Sequence, residues 1–266
     1  MQSHSRNKTS VNLAHLESNT FVDQIVFREE LASTNDLALE LCSESENPGT
    51  TLVLAERQTS GRGRGANKWW SNQGALTFSL ILDATNLSLS QERWPLISLT
   101  AGLAVGDVLE SLTAESNVGL KWPNDVFLKS RKVCGILVEV PPHTQGKIVV
   151  GIGLNVNNSF ASAPTELQSI ATSLIDATQK SHDRTDVLTR LLTQIEQELA
   201  ALKTQTLNLP DRWHPRCVLR HKTVHLQMGN RKLVGVCQGI NSQGALILET
   251  ETGTETCFGG TIEKFE

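Results

Sequence analysis

The chain is 266 residues long, with 39% hydrophobic residues, 20% charged residues and a formal net charge of -4. At roughly 150 residues per domain this length predicts about two domains, and the composition is ordinary for a globular protein, which excludes disorder as the main state. The acidic balance gives no overall attraction for nucleic acid, so any basic site must be local.

In chain order, residues 1–20 carry Arg6, Lys8, Ser3, Ser5, Ser10 and Ser18 but no apolar block. That pattern is not a secretory signal, and it is read as a flexible leader on a cytoplasmic protein. Ser33, Thr34 and Asn35 are good N-cap types ahead of Leu37, Ala38 and Leu41 at helical spacing, predicting a helix within 31–42. Apolar, β-branched runs at 51–55 and 75–82 predict strands. The polar, glycine-rich stretch between them is long for a compact domain, which marks it as functional or disordered. Residues 94–112 predict a mostly buried helix that tolerates Gly102 and Gly106. Strands are predicted at 118–122, 133–140 and 148–156, with a hairpin joining 126–128 to 133–137 through Lys129, Ser130 and Arg131. The longest uncharged stretch, 148–165, contains Asn155, Asn157 and Asn158, so no run is read as apolar enough to span a bilayer. Residues 183–202 set Val187, Leu191, Ile195, Leu199 and Leu202 on one stripe, the pattern of an amphipathic helix.

After Asn208, Leu209 and Pro210 the pattern changes to short strands at 224–227, 232–238, 245–249 and 255–259, cut by turn residues, as in a small β-barrel or sandwich. The expected organisation is a leader at 1–20, a first domain at 21–208 and a β domain at 211–266. Five cysteines, an odd number with no C-x-x-C, point to reduced thiols.

The segment 61–71 reads Gly-Arg-Gly-Arg-Gly-Ala-Asn-Lys-Trp-Trp-Ser. Its glycines allow close backbone approach, and Arg62, Arg64 and Lys68 suit a phosphate or carboxylate. It has neither the P-loop nor the dinucleotide spacing. The alternative is a solvated basic loop, against which stand Trp69 and Trp70, which must pack or stack on a planar ligand. Lys121, Trp122, Pro123, Asn124 and Asp125 end a strand in polar groups that either bind Mg²⁺ or a ribose hydroxyl, or cap a hairpin corner. Lys132 is either an edge charge or an inward cation, and Cys134, two residues on, is placed on the same face. Gly151 and Gly153 leave one strand face bare for a neighbouring element or a ligand. The H-x-x-x-H spacing of His221 and His225 falls on a strand and is not read as a metal site, and no nucleophile-elbow motif is present.

In order, Ser33-Thr34-Asn35, Gln58, G-R-G-R at 61–64, K-W-P-N-D at 121–125, R-K-x-x-G-I-L-V-E at 131–139 and G-I-G-x-N at 151–155 resemble the biotin protein ligases. The resemblance implies an α+β fold, a central mixed β-sheet with flanking helices of the class II aminoacyl-tRNA synthetase-like kind, plus a C-terminal SH3-like β-barrel. It implies a two-step reaction: biotin and MgATP give biotinyl-5′-AMP, and a lysine of a biotin carboxyl carrier domain of acetyl-CoA carboxylase then displaces AMP. It further implies that Ser33, Thr34, Asn35, Gln58, Arg62, Gly63, Arg64 and Lys132 bind biotin. Arg64, Trp69, Asn124, Lys132 and Asn155 are implied for the nucleotide, and Lys132, Arg64 and Asp125 for catalysis. Asp125, or Asn155, would lie at Mg²⁺, which comes with ATP rather than as a resident metal. No nucleic acid or membrane partner is expected, and the assembly is a monomer or homodimer.

The sequence departs from the family pattern at Ala66 and Asn67, where many members carry a further Gly and Arg, so one cation is missing. The stretch before Leu31 is too short for the DNA-binding domain of some members, so no repressor function is expected. The glycine-rich loop is expected to close over ligand with Trp69. Two rivals are a lipoate ligase or octanoyltransferase, which shares the catalytic fold, and a single-strand nucleic-acid binder using the basic and aromatic residues of 61–71.

Overall fold

The structure is a computed structural model that describes residues 11–44, 49–113, 117–142, 144 and 146–266. Residues 1–10 of the expected leader lie outside the described residues. Residues 11–20 depart from that expectation. Leu13–Asn19 form a helix, α1, capped by the Asn12 side chain, and Leu16 is fully buried. Leu13 and Leu16 lie one helical turn apart, and that short apolar edge is enough to dock α1 on the core.

A seven-stranded mixed sheet organises most of the chain: β1 (Gln24–Leu31), β2 (Thr51–Gln58), β3 (Leu76–Asp83), β4 (Val118–Lys121), β5 (Asp125–Leu128), β6 (Arg131–Glu139) and β7 (Lys147–Leu154). The order is β1-β2-β3-β7-β6-β5-β4. β1 and β2 pair in parallel and every other neighbouring pair is antiparallel. A parallel pair requires a crossover, and here it is α2 (Thr34–Glu44), which lays Ala38 and Cys42 on Val53, Ile81 and Val149. The opposite face is covered by α3 (Leu96–Thr113), and two short helices, α4 (Thr165–Gln168) and α5 (Leu174–Thr178), precede α6 (Arg184–Lys203), which packs on α3.

Helix α3 corrects one reading of the sequence, because it is long and apolar enough to cross a membrane. It does not need one, since 67% of it is buried against the sheet and α6. Its charges, Asp107 and Glu110, meet Arg216 at 2.7 and 2.6 Å, and Arg212 joins Asp107 to Glu198 on α6 at 2.5 Å each. Those two arginines lie in α7 (Leu209–Trp213) and the turn after it, where the sequence suggested a boundary.

A second sheet follows, with β8 (Thr223–Met228), β9 (Arg231–Ile240), β10 (Leu246–Thr250), β11 (Gly253–Cys257) and β12 (Thr261–Phe265), all antiparallel in the order β11-β10-β9-β8-β12. This is the small C-terminal β module expected. Alternation along β9 buries Leu233, Gly235 and Cys237 and exposes the residues between. One continuous apolar core runs from Leu16 through both sheets to Cys257.

The β5–β6 hairpin turns through Lys129 and Ser130, both at positive φ (50° and 63°), as a two-residue turn with the twist of its strands requires. A bulge then interrupts the ladder: Val126 pairs with Cys134 and Phe127 with Lys132, leaving Val133 as the extra residue.

Candidate active site

The site lies on the α2 side of the sheet, where small residues leave room. A Cβ on Gly151 would stand 2.0 Å from Asn35 Oδ1, and one on Gly153 would stand 2.3 Å from Trp69 Cε2. The two glycines are therefore bare because Asn35 of α2 and the indole of Trp69 lie on them. Gly135, directly opposite Gly153 in the ladder, continues the shelf under Trp69 and beneath the end of Lys132.

Ser33, Thr34 and Asn35 are 3–4% exposed at the start of α2. Gln58, at the end of β2, accepts from the Thr34 N–H through Oε1 at 2.7 Å and lies 3.1 Å from the Thr34 hydroxyl. Ser79 of β3, which the sequence reading passed over, sits 2.8 Å from Thr34 Oγ1 and 2.6 Å from Asn35 Oδ1. Its one proton goes to the Asn35 oxygen, because the Asn35 Nδ2 is committed to Leu137 O (3.3 Å) and Glu139 Oε2 (2.8 Å), both acceptors only. The result is a buried row of hydroxyl and amide groups with fixed orientations.

The glycine-rich loop folds back on itself. The Gly63 N–H donates to Asn67 O at 2.8 Å and the Trp69 N–H to Gly61 O at 2.9 Å, around Gly65 at φ 61°. A Cβ at Gly61 would stand 2.6 Å from Trp69 O, so that glycine is required by the crossing of the two arms. Arg62 is bidentate to Glu139 (3.1 and 2.6 Å) and meets Asp36 at 2.8 Å through Nε. Arg64 reaches the second sheet, donating to Gly260 O at 3.2 Å, and its burial lowers its pKa against the opposing pull of Asp125. The tryptophans divide their work: Trp69 covers the shelf with its buried indole N–H unpartnered, and Trp70 packs on Phe160 with ring centres 5.1 Å apart and planes tilted by 50°. The solvated-loop reading is thus set aside.

Lys132 points into the site. Its Nζ lies 2.6 Å from Asp125 Oδ1 and 6.0 Å from the Trp69 ring centre. Cys134 does not share its face, contrary to the sequence reading. The bulge at Val133 flips the alternation, so Cys134 is wholly buried, and burial drives its thiol pKa far up. Acyl transfer through that thiol has no support. Lys121 completes a cationic cluster, its pKa lowered by burial, with Asp125 opposing and Lys132 adding to the fall.

Two candidates turn out to be braced by protein contacts. Asn124 sits in the β4–β5 turn, with Nδ2 donating to Ile136 O at 2.7 Å and its backbone carbonyl accepting the Ile136 N–H. Asn155, 2% exposed, donates to Thr172 O and accepts from Asn158. Thr172 in turn donates its N–H to Lys132 O at 2.9 Å, and the Lys132 N–H donates to Ile170 O at 2.8 Å. Asn155 therefore anchors Thr172, which holds the Lys132 carbonyl. Among the described residues no group of three or more His, Cys, Asp or Glu side chains gathers to hold a metal. His225 lies on β8 as expected, and His221 falls just before it at φ 64°.

Comparison with known proteins bears on this geometry. Residues 28–157 match the biotin/lipoate A/B protein ligase family and 222–264 the biotin protein ligase C-terminal domain. A biotin--[acetyl-CoA-carboxylase] ligase of Mycobacterium tuberculosis is 33% identical over 88% of this chain and 86% of that protein. The chain belongs to the biotin protein ligase family. Among relatives of the ligase, that of Paracoccus denitrificans is 30% identical over 86% of this chain and 98% of its own length. The solved biotin protein ligase of Aquifex aeolicus in complex with biotin and ATP superposes with a TM-score of 0.78 at 31% identity, covering 91% of this chain and 98% of that one.

Proposed function

We propose that this biotin protein ligase family member activates biotin as biotinyl-5′-AMP and transfers it to a lysine of a carboxylase carrier domain. The observation that carries this reading is one arrangement: a buried hydroxyl and amide row beside Arg64, Lys121 and Lys132 grouped around Asp125, roofed by a glycine-rich loop that Arg62 ties to Glu139. A carboxylate attacking a polyphosphate meets charge repulsion, and fixed cations in a water-poor site lower that barrier.

In this reading Ser33, Thr34, Asn35 and Gln58 bind the ureido ring of biotin. Arg62, Gly63 and Arg64 line its carboxylate side. Lys132 bridges carboxylate and α-phosphate, and Asp125, its partner at 2.6 Å, holds it until MgATP arrives. Trp69, whose indole N–H is free to donate, shelters the nucleotide, which Asn124 and Asn155 support from behind. Attack by the biotin carboxylate on the α-phosphorus expels pyrophosphate; attack by the carrier lysine amine on the anhydride carbonyl expels AMP. Mg²⁺ enters as part of the nucleotide, since magnesium is commonly held by one or two carboxylates plus substrate phosphates, and Asp125 is the carboxylate at hand. We place the catalytic domain at 21–208 and the β module at 211–266, in a cytoplasmic monomer or homodimer.

The test is isotope exchange between ATP and pyrophosphate with biotin, lipoate or octanoate, followed by mass analysis of an added carrier domain. Exchange that requires biotin, and a carrier heavier by one biotinyl group, is expected. Exchange with lipoate or octanoate alone would overturn the reading.

A further inference from the structure

The loop and the biotin-side amide share a single carboxylate. Glu139 Oε2 accepts from Asn35 Nδ2 at 2.8 Å and from Arg62 Nη2 at 2.6 Å, while Oε1 takes Arg62 Nη1 at 3.1 Å. Because Leu137 O takes the other Nδ2 hydrogen, the Asn35 oxygen is left facing Ser79. Removing the Glu139 charge would free the amide to rotate and leave Arg62 with Asp36 alone. Paired surface charges contribute little, but Glu139 is three-quarters buried at its side chain and its Arg62 contact is bidentate, the geometry in which such bonds are strongest.

We infer that Glu139 is a positioning residue that couples the closed pose of the glycine-rich loop to the orientation of the Asn35 amide. Resting on the biotin-activating reading above, the inference means that biotin binding and loop ordering reinforce each other through one side chain. A ligand that fixes Asn35 fixes Glu139, and Glu139 fixes Arg62.

The test uses the whole protein with Glu139→Gln, Glu139→Ala, Arg62→Ala and the double Arg62→Ala/Glu139→Ala variant. Exchange is measured against biotin concentration, and cleavage after Arg64 and Lys68 is followed with trypsin in the absence of ligand. Glu139→Gln is expected to raise KM for biotin roughly 10- to 100-fold, the usual cost of losing a charge-assisted hydrogen bond, with maximal rate changed less than about threefold. Both single alanine variants should speed loop cleavage, and the double variant should be no faster than the faster single one. Unchanged KM with unchanged loop cleavage in both Glu139 variants would overturn the inference, as would additive effects in the double variant. If the unaltered protein shows no biotin-dependent exchange, the functional reading fails, while the cleavage cycle still judges the coupling.

Discussion

Lys132 concentrates the charge logic of the site at one atom: an ammonium 2.6 Å from Asp125, steadied through its backbone by Ile170 and Thr172. Lys132→Ala is expected to cut biotin-dependent exchange by at least about a hundredfold, as loss of an electrostatic stabiliser does; wild-type exchange in that variant would refute the assignment. Arg64→Ala should slow adenylate formation and let the adenylate escape, which rapid filtration of labelled product would detect as free biotinyl-AMP. Gly153→Ala brings a methyl to 2.3 Å from the Trp69 ring and must lift the indole, so a red-shifted tryptophan emission with raised KM for ATP is expected. Part of this was legible in sequence, because two glycines on one strand face leave it bare for a neighbouring element or a ligand, but which side chains fill it, Asn35 and Trp69, was not. Ser79 was not, since a lone serine in an apolar run carries no pattern until α2 is folded over it.

At the scale of elements, the periodic segments declared themselves and the short ones did not. The apolar stripe at 183–202 becomes α6, with Asp183 capping the N–H groups of Thr185 and Asp186. β1 went unread because it is an edge strand carrying Arg28, Glu29 and Glu30, whose burial barely alternates. β12 was missed because its inward residues are interrupted by Glu263 and Lys264 at a register shift. Two stability changes follow. Arg184, 5% exposed, donates to both oxygens of Glu56 and to Ala75 O, and Arg184→Ala should cost about 3 kcal/mol by leaving a carboxylate half-buried. Leu16→Ala should cost about 2–3 kcal/mol through an unfilled cavity under α1. Urea melts check both, and an unaltered midpoint for Leu16→Ala would mean that α1 does not dock in solution.

For the whole molecule the issue is what binds the two sheets together. Trp122 donates its indole N–H to Gly244 O at 2.9 Å, Arg64 reaches Gly260, and Cys217 lies in a bridge beside Leu120. None of these contacts follows local sequence periodicity, which is why the architecture of each sheet was readable and their junction was not. Cys217 is also a usable reporter. A hydrogen bond with the Cys237 thiol lowers its pKa, despite burial, whereas burial raises Cys42, Cys134 and Cys257. A lowered pKa raises the thiolate fraction, and Cys217 is half-buried where the other four cysteines are buried, so iodoacetamide is expected to modify Cys217 first, and Cys237→Ala should slow that reaction. Peptide mapping by mass spectrometry decides it.

The surplus residue at Val133 has a consequence for how such a site tolerates change. Strand parity assigns every side chain to one of two compartments, and here an odd count on β6 against β5 is what places the Lys132 ammonium beside Asp125 and Trp69 rather than in the apolar core. An insertion in β5 that evened the count would leave every residue type in place yet drive Lys132 inward, so activity would vanish through arithmetic rather than through chemistry.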